Sequence, residues 1–211
     1  MGTERLIMVT ETTRWKCRPA GKLLYYRYCL SSGDHNLMST NDKPTTQILL
    51  IVWHSRTGAA QQLAQAACEG ARDVLRELDA HDRLEIVMRG AADTTVEDVL
   101  HAGAYLFCAP ENLGSLSGAM KEFFDRCYYG VLDRISGRPY ALAIAAGSDG
   151  SGAVRQAERI CTGWRLRAAA DPYIAHTDAQ TPEAILAEKA LTSEQREPAR
   201  TLGGTLAALL A

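Results

Sequence analysis

Residues 47–72 read QILLIVWHSRTGAAQQLAQAACEGAR. Ile48-Leu-Leu-Ile-Val-Trp53 is an unbroken apolar run, as expected of a short strand buried on both faces. His54-Ser-Arg-Thr-Gly58 interrupts it with hydroxyls and a glycine. Ala60, Leu63, Ala67, Ala71, Val74 and Leu78 then recur three or four apart, which is one face of a helix. A buried strand, a hydroxyl-rich turn and a helix N-terminus together form an anion site. The first N–H groups of the helix have no internal partner, and its macrodipole places partial positive charge there. Ser55, Thr57 and Arg56 add side-chain donors, and Gly58 lets the backbone approach a ligand closely. Phosphate is the natural occupant. The alternative reading has Ser55 and Thr57 acting only as caps of the helix.

Working outward, Arg83-Leu-Glu-Ile-Val-Met88 predicts a second strand, joined to the first by a connection of βαβ length. Thr95 followed by Asp98 reads as a capped short helix backed by Val96, Val99 and Leu100. Ala104–Ala109 is a third strand, ending in a long turn, Pro110-Glu-Asn-Leu-Gly-Ser-Leu-Ser-Gly118. The next helix would bury Leu116, Met120, Phe123 and Cys127. Pro139–Ala146 is a fourth strand, followed by Gly147-Ser-Asp-Gly-Ser-Gly152 and a helix with Val154, Ala157, Cys161 and Trp164 in register. Asp171–Ala175 is a short fifth strand. Thr181-Pro182-Glu183 starts a helix with proline at its first position, and a last helix, carrying Leu202, Leu206 and Leu209, begins near Pro198.

Strands alternating with crossover-length helices argue for an open parallel sheet covered on both faces, with ligands beyond the carboxyl ends of its strands. The polar, glycine-bearing turns follow strands one, three and four, and all are carboxyl-end turns. Pro110–Gly114, with its exposed Leu113, is suited to press on a flat ring. Gly147–Gly152 is small enough for its backbone to approach the same ligand.

Residues 1–46 differ from the rest. They hold scattered basic residues and a tyrosine cluster, Tyr25, Tyr26 and Tyr28, without a sustained period. They are read as a poorly ordered extension, with the native start near Met38; Leu23–Leu30 suits a short strand or helical turn. The net charge of -2 supplies neither a basic footprint for nucleic acid nor the strongly acidic face of a charge-steered electron carrier. The six cysteines are scattered without metal-site spacing and read as buried small hydrophobes. No run approaches a membrane span and no signal peptide is legible, so the expected location is cytoplasmic.

Three stretches carry a family resemblance. Ser55-Arg-Thr-Gly-Ala-Ala60 resembles the phosphate loop of the flavodoxin-like superfamily. Pro110-Glu-Asn-Leu-Gly-Ser-Leu-Ser-Gly-Ala-Met-Lys-Glu-Phe-Phe-Asp125 resembles the second flavin loop and following helix of its NAD(P)H-dependent FMN reductase and quinone reductase branch. Ala145-Ala-Gly-Ser-Asp-Gly150 resembles the third flavin turn. The resemblance covers residues 47–211 and implies a three-layer α/β sandwich, helices flanking a five-stranded parallel sheet of order 2-1-3-4-5.

It further implies that Ser55, Arg56, Thr57, Gly58, Ala59 and Ala60 hold the FMN phosphate. Pro110, Glu111, Asn112, Leu113 and Gly114 would line one side of the flavin ring, and Gly147, Ser148, Asp149 and Gly150 the other. There are two departures. Ala60 replaces a hydroxyl, removing a hydrogen bond to a charged group worth about 1.5–3 kcal/mol, so FMN would bind more weakly. Glu111 sets a carboxylate beside the flavin, which would lower the reduction potential if ionised there.

The implied activity is oxidoreduction: hydride from NADH or NADPH to FMN, and electrons onward to a quinone or similar small-molecule acceptor. No general base is required, because the cofactor does the chemistry. His54 reads as structural or solvent-facing, and Gly114-Ser-Leu-Ser-Gly118 misses nucleophile-elbow spacing. The alternatives are a flavodoxin-type electron carrier and a flavodoxin-fold binding protein without redox activity. Relatives are commonly dimers or tetramers, and by that analogy alone a homodimer or tetramer is the expectation, with Tyr128, Tyr129 or the C-terminal helix as the surfaces that would face a neighbour.

Overall fold

The computed structural model describes residues 46–211 together with two short strands nearer the N-terminus. The chain divides into two units, Met1–Asp42 and Lys43–Ala211. In the first, β1 (Arg14–Cys17) and β2 (Leu24–Arg27) pair antiparallel, with Arg14 opposite Arg27 and Cys17 opposite Leu24. The expectations of a disordered extension and of a start at Met38 fall outside the described residues.

The second unit is a parallel sheet with helices on both faces. Its elements in order are β3 (Gln47–Trp53), α1 (Ala59–Glu77), β4 (Leu84–Gly90), α2 (Val96–His101), β5 (Ala104–Asn112), β6 (Ser115–Leu116) and α3 (Gly118–Val131). They continue with β7 (Pro139–Ala146), α4 (Ser151–Gly163), β8 (Arg167–Ala168), β9 (Tyr173–His176), α5 (Pro182–Leu186) and α6 (Ser193–Leu210). The parallel strands lie in the order β4-β3-β5-β7, with β8 and β9 both on the free edge of β7. Counting that broken edge as one strand, this is the order 2-1-3-4-5.

Three boundaries differ from the sequence reading. The fifth strand is split, because β8 pairs with the start of β7 at Pro139 and Tyr140 and β9 with its end, Ala143–Ala146. The long turn from Pro110 is instead a continuation of β5 into an antiparallel hairpin with β6, which places Leu116 in a strand. The last helix begins at Ser193 and contains Pro198. The capping box of Thr192 and Gln195 starts it upstream, so the missing proline N–H falls in the second turn. Of the leucines on this helix, Leu202 and Leu206 are buried and Leu209 is exposed.

Side-chain alternation divides the interior into two unlike layers. Toward α1 and α6 the central strands present aliphatic and small residues: Leu49 and Ile51 from β3, Ala104, Leu106 and Cys108 from β5, and only alanines, Ala141, Ala143 and Ala145, from β7. The two helices pack backbone against backbone there, since a side chain at Gly70 would collide with the Arg200 carbonyl and one at Gly203 with the Ala67 carbonyl. Toward α2, α3 and α4 the filling is aromatic. Phe107 lies 4.9 Å from Phe124 edge-on and 6.3 Å from Trp164, and Phe123 and Tyr140 complete the cluster. Such pairs contribute about 0.5–1.5 kcal/mol each beyond area burial. Cys68, Cys108, Cys127 and Cys161 are buried and free, and burial pushes each thiol up.

Candidate functional site

At the carboxyl end of β3, the His54 N–H extends the ladder to the Cys108 carbonyl (3.0 Å) before the chain turns. Gly58 adopts φ 92°, a left-handed conformation that a side chain disfavours, and closes the turn by donating its N–H to Ser55 Oγ at 3.0 Å. That bond lies before the helix, so neither Ser55 nor Thr57 caps α1; the capping alternative is ruled out. The first turn of α1 has no acidic residue. Among the described residues the N–H groups of Ala59, Ala60 and Gln61 meet no acceptor. An open helix N-terminus, with Arg56 exposed and Thr57 half-buried beside it, is complementary to a phosphate. Ala60 is fully buried and its methyl belongs to the core, so its contribution to the turn is the backbone amide.

The turn is fastened from behind. Gln62 Nε2 donates to the Gly58 carbonyl (3.2 Å) and the Lys189 carbonyl (2.5 Å), while its Oε1 accepts the Leu191 N–H (3.0 Å). The Lys189 N–H donates to the Thr57 carbonyl at 2.7 Å. Its ammonium in turn donates to the carbonyls of Ala184 (2.5 Å), Ile185 (3.2 Å) and Ala187 (2.5 Å) at the end of α5. The segment between α5 and α6 therefore straps the turn in place.

Beyond β5, Leu113 (φ 53°) and Gly114 (φ 70°) form the two-residue loop of the β5–β6 hairpin. Two successive positive φ angles match the turn that follows the natural twist of paired strands. Leu113 is fully exposed at the tip, and Pro110, Glu111 and Asn112 are half-buried along the approach. The hairpin is pinned by Gln156, whose Oε1 accepts the Leu116 N–H at 2.8 Å.

Beyond β7, Gly147 is half-buried and Ser148 and Asp149 are exposed, while Gly150 is buried at φ 78°. A side chain at Gly147 would stand 2.8 Å from the Ala179 carbonyl, and one at Gly152 would collide with the Gly114 carbonyl of the hairpin. Asp149 accepts the Ser151 hydroxyl at 2.5 Å.

Side chains tie these turns together. Glu111 accepts the Gly150 N–H on Oε2 (2.8 Å) and the Ala153 N–H on Oε1 (3.2 Å), so its carboxylate caps α4 from the neighbouring loop. His54 Nδ1 lies 2.8 Å from the buried Ser117 Oγ, joining the first turn to the start of α3. Burial, and secondarily the charge of Arg56, hold the His54 imidazole below its ordinary range and keep it neutral. The candidate residues thus lie along one rim, beyond the carboxyl ends of three neighbouring strands. An open N-terminus at α1 and small, close-packed turns at its flank fit a flat cofactor carrying a phosphate.

Sequence reasoning missed the roles of Gln62, Lys189 and Leu191, and treated Glu111 as a charge near the ligand rather than a cap. Gln62 lies one turn into α1 from Gly58, a local cue. Glu111 acts 39 and 42 residues away, where no local pattern points. Among the described residues no acidic, histidine or cysteine group is arranged to hold a metal. No helix there is long and apolar enough to cross a membrane.

The fold and rim define a flavodoxin-like α/β protein. Residues 58–179 match the NADPH-dependent FMN reductase family, and the chain belongs to that family. It is therefore a flavoprotein of the FMN-binding kind. A flavodoxin from Aquifex aeolicus is 27% identical over 164 residues, covering 75% of this chain and 84% of the relative. Among solved structures, an archaeal flavodoxin superposes with a TM-score of 0.60 at 12% identity, over 78% of this chain and 99% of its own. A WrbA-like flavodoxin from Agrobacterium tumefaciens superposes with 0.57 at 14% identity, over 78% and 98%. At such identities these structures show the fold.

Proposed function

We propose that the protein is an FMN-dependent oxidoreductase that takes hydride from NADPH or NADH and delivers electrons to a quinone or similar small acceptor. The observation that carries this reading is the uncapped N-terminus of α1, set beside two close-packed turns on one rim and left without an internal anion. FMN, when bound, supplies the hydride-accepting chemistry, and the chain supplies binding, orientation and electrostatics.

Ser55, Arg56, Thr57 and the amides of Ala59, Ala60 and Gln61 hold the phosphate. Pro110–Gly114 and Gly147–Gly150 flank the ring. The carboxylate of Glu111 is satisfied by the amides of α4, so its charge is partly spent on that helix rather than acting fully on the ring. His54 stays neutral and bonded to Ser117, holding two loops rather than relaying protons.

A carrier role has the flavodoxin name of the Aquifex relative in its favour. The net charge of -2 argues against it, because charge-steered carriers depend on a strong field to find partners. Anaerobic mixing of FMN-loaded protein with NADPH or NADH should bleach the flavin absorbance. Subsequent addition of a quinone should restore it without a partner protein. No bleaching with either nicotinamide overturns the reductase reading.

A further inference from the structure

Behind the β5–β6 hairpin runs a groove of about 600 Å³, lined by Gly114, Ser115, Gly152, Arg155, Gln156, Arg159 and Ile160. One wall is hairpin backbone and the other is the face of α4. Arg155 and Arg159 are one helical turn apart, where side chains are neighbours. Both are exposed, and among the described residues neither pairs with a carboxylate. Arg155 donates only to Ser151 Oγ (3.0 Å), whose own hydrogen goes to Asp149. Arg159 makes no side-chain hydrogen bond there. Glu158, the carboxylate between them in sequence, does not line the groove and forms no ion pair with either arginine. Gln156 spends its oxygen on Leu116 and keeps its amide donors. Ser115 spends its hydroxyl hydrogen on the Asn112 carbonyl (3.2 Å), so the groove joins two largely free guanidiniums to the amide donors of Gln156, with Ile160 as an apolar surface.

We propose that this groove binds the phosphorylated adenosine end of the nicotinamide cosubstrate, with Arg155 and Arg159 gripping its 2′-phosphate. The inference rests on the reductase reading and deepens it by assigning the residues that select NADPH over NADH. Two guanidiniums match a phosphate dianion through paired N–H donors, and their flat faces and Ile160 suit an adenine ring. The groove adjoins the hairpin whose residues line the flavin, so a cosubstrate laid along it places its other end toward that rim.

The test is titration of the full chain, with and without FMN, by adenosine 2′,5′-bisphosphate and by AMP, followed calorimetrically. The bisphosphate should bind about tenfold or more tightly than AMP, and the double variant Arg155→Gln, Arg159→Gln should erase that difference. The Arg155→Lys, Arg159→Lys variant should recover part of it. Equal binding of the two nucleotides, or an unchanged preference in the Gln variant, overturns the proposal. The readout needs no turnover. Preferential binding lost in the Gln variant, without flavin bleaching by NADPH, would leave the groove standing and remove the reductase reading. Bleaching whose NADPH preference survives the Gln variant would do the reverse.

Discussion

The turns leading into α1 and α4 are built alike and used differently. Each follows a buried strand and begins its helix at a glycine in the left-handed region, Gly58 at φ 92° and Gly150 at φ 78°. Neither helix caps itself, whereas α2, α5 and α6 each carry a threonine cap. The N-terminus of α4 is filled from inside, by the Glu111 carboxylate. That of α1 meets no such group among the described residues. A helix N-terminus favours an anion. The fold supplies one to α4 and leaves α1 ready for an anion from solution.

Four predictions break or sharpen this contrast. The largest concerns the glycines themselves. Alanine at either position carries left-handed strain of about 1–2 kcal/mol. At Gly150 the new methyl would also stand 2.5 Å from Ile174 Cγ2, while at Gly58 the nearest atoms are 3.5 Å away. Overpacking adds about 1–3 kcal/mol. Urea denaturation should therefore show Gly150→Ala as clearly more destabilising than Gly58→Ala, with the latter weakening FMN binding instead. Equal losses of stability would erase the distinction.

Next in size, Glu111→Ala removes a charge-assisted cap and should cost about 1.5–3 kcal/mol, with Glu111→Gln recovering part. The emptied α4 N-terminus should then gain more thermal stability from added inorganic phosphate than the parent protein does. An identical response in both proteins would mean that Glu111 does not occupy an anion site.

Gln62→Ala loses hydrogen bonds of about 0.5–1.5 kcal/mol each. Because these hold the phosphate turn, FMN affinity should fall while riboflavin affinity, which involves no phosphate, stays level. A matching fall for both ligands would make Gln62 a general stabiliser.

The smallest effect is on pH dependence. The His54 imidazole is held below the ordinary 6.5, so the unfolded chain takes up the proton first as pH falls. Its contribution is fully present above 6.5 and is lost as pH drops through the lowered value. Melting temperatures of His54→Gln should decline less steeply over that acid range than those of the parent; parallel declines would remove His54 from the account.

Much of this was legible locally. The apolar run Ile48–Trp53, the break at His54–Gly58 and the helical spacing after it specify a buried strand, a turn and a helix, because backbone period and side-chain hydrophobicity are short-range properties. The capped starts at Thr95 and Thr181 were readable for the same reason. The β5–β6 hairpin was misread as a long turn, because Leu113 takes a left-handed conformation that leucine seldom adopts alone. Its pairing and the packing of Gly152 against Gly114 impose it.

The amino-acid sequence by itself determined the alternation of elements, the parallel sheet and the positions of three polar turns. Only the tertiary structure decided which helix N-terminus is filled and which is left open. The capping carboxylate of α4 and the strap behind the α1 turn come from residues far along the chain, and such partners are chosen by how strands and helices pack rather than by neighbours in sequence.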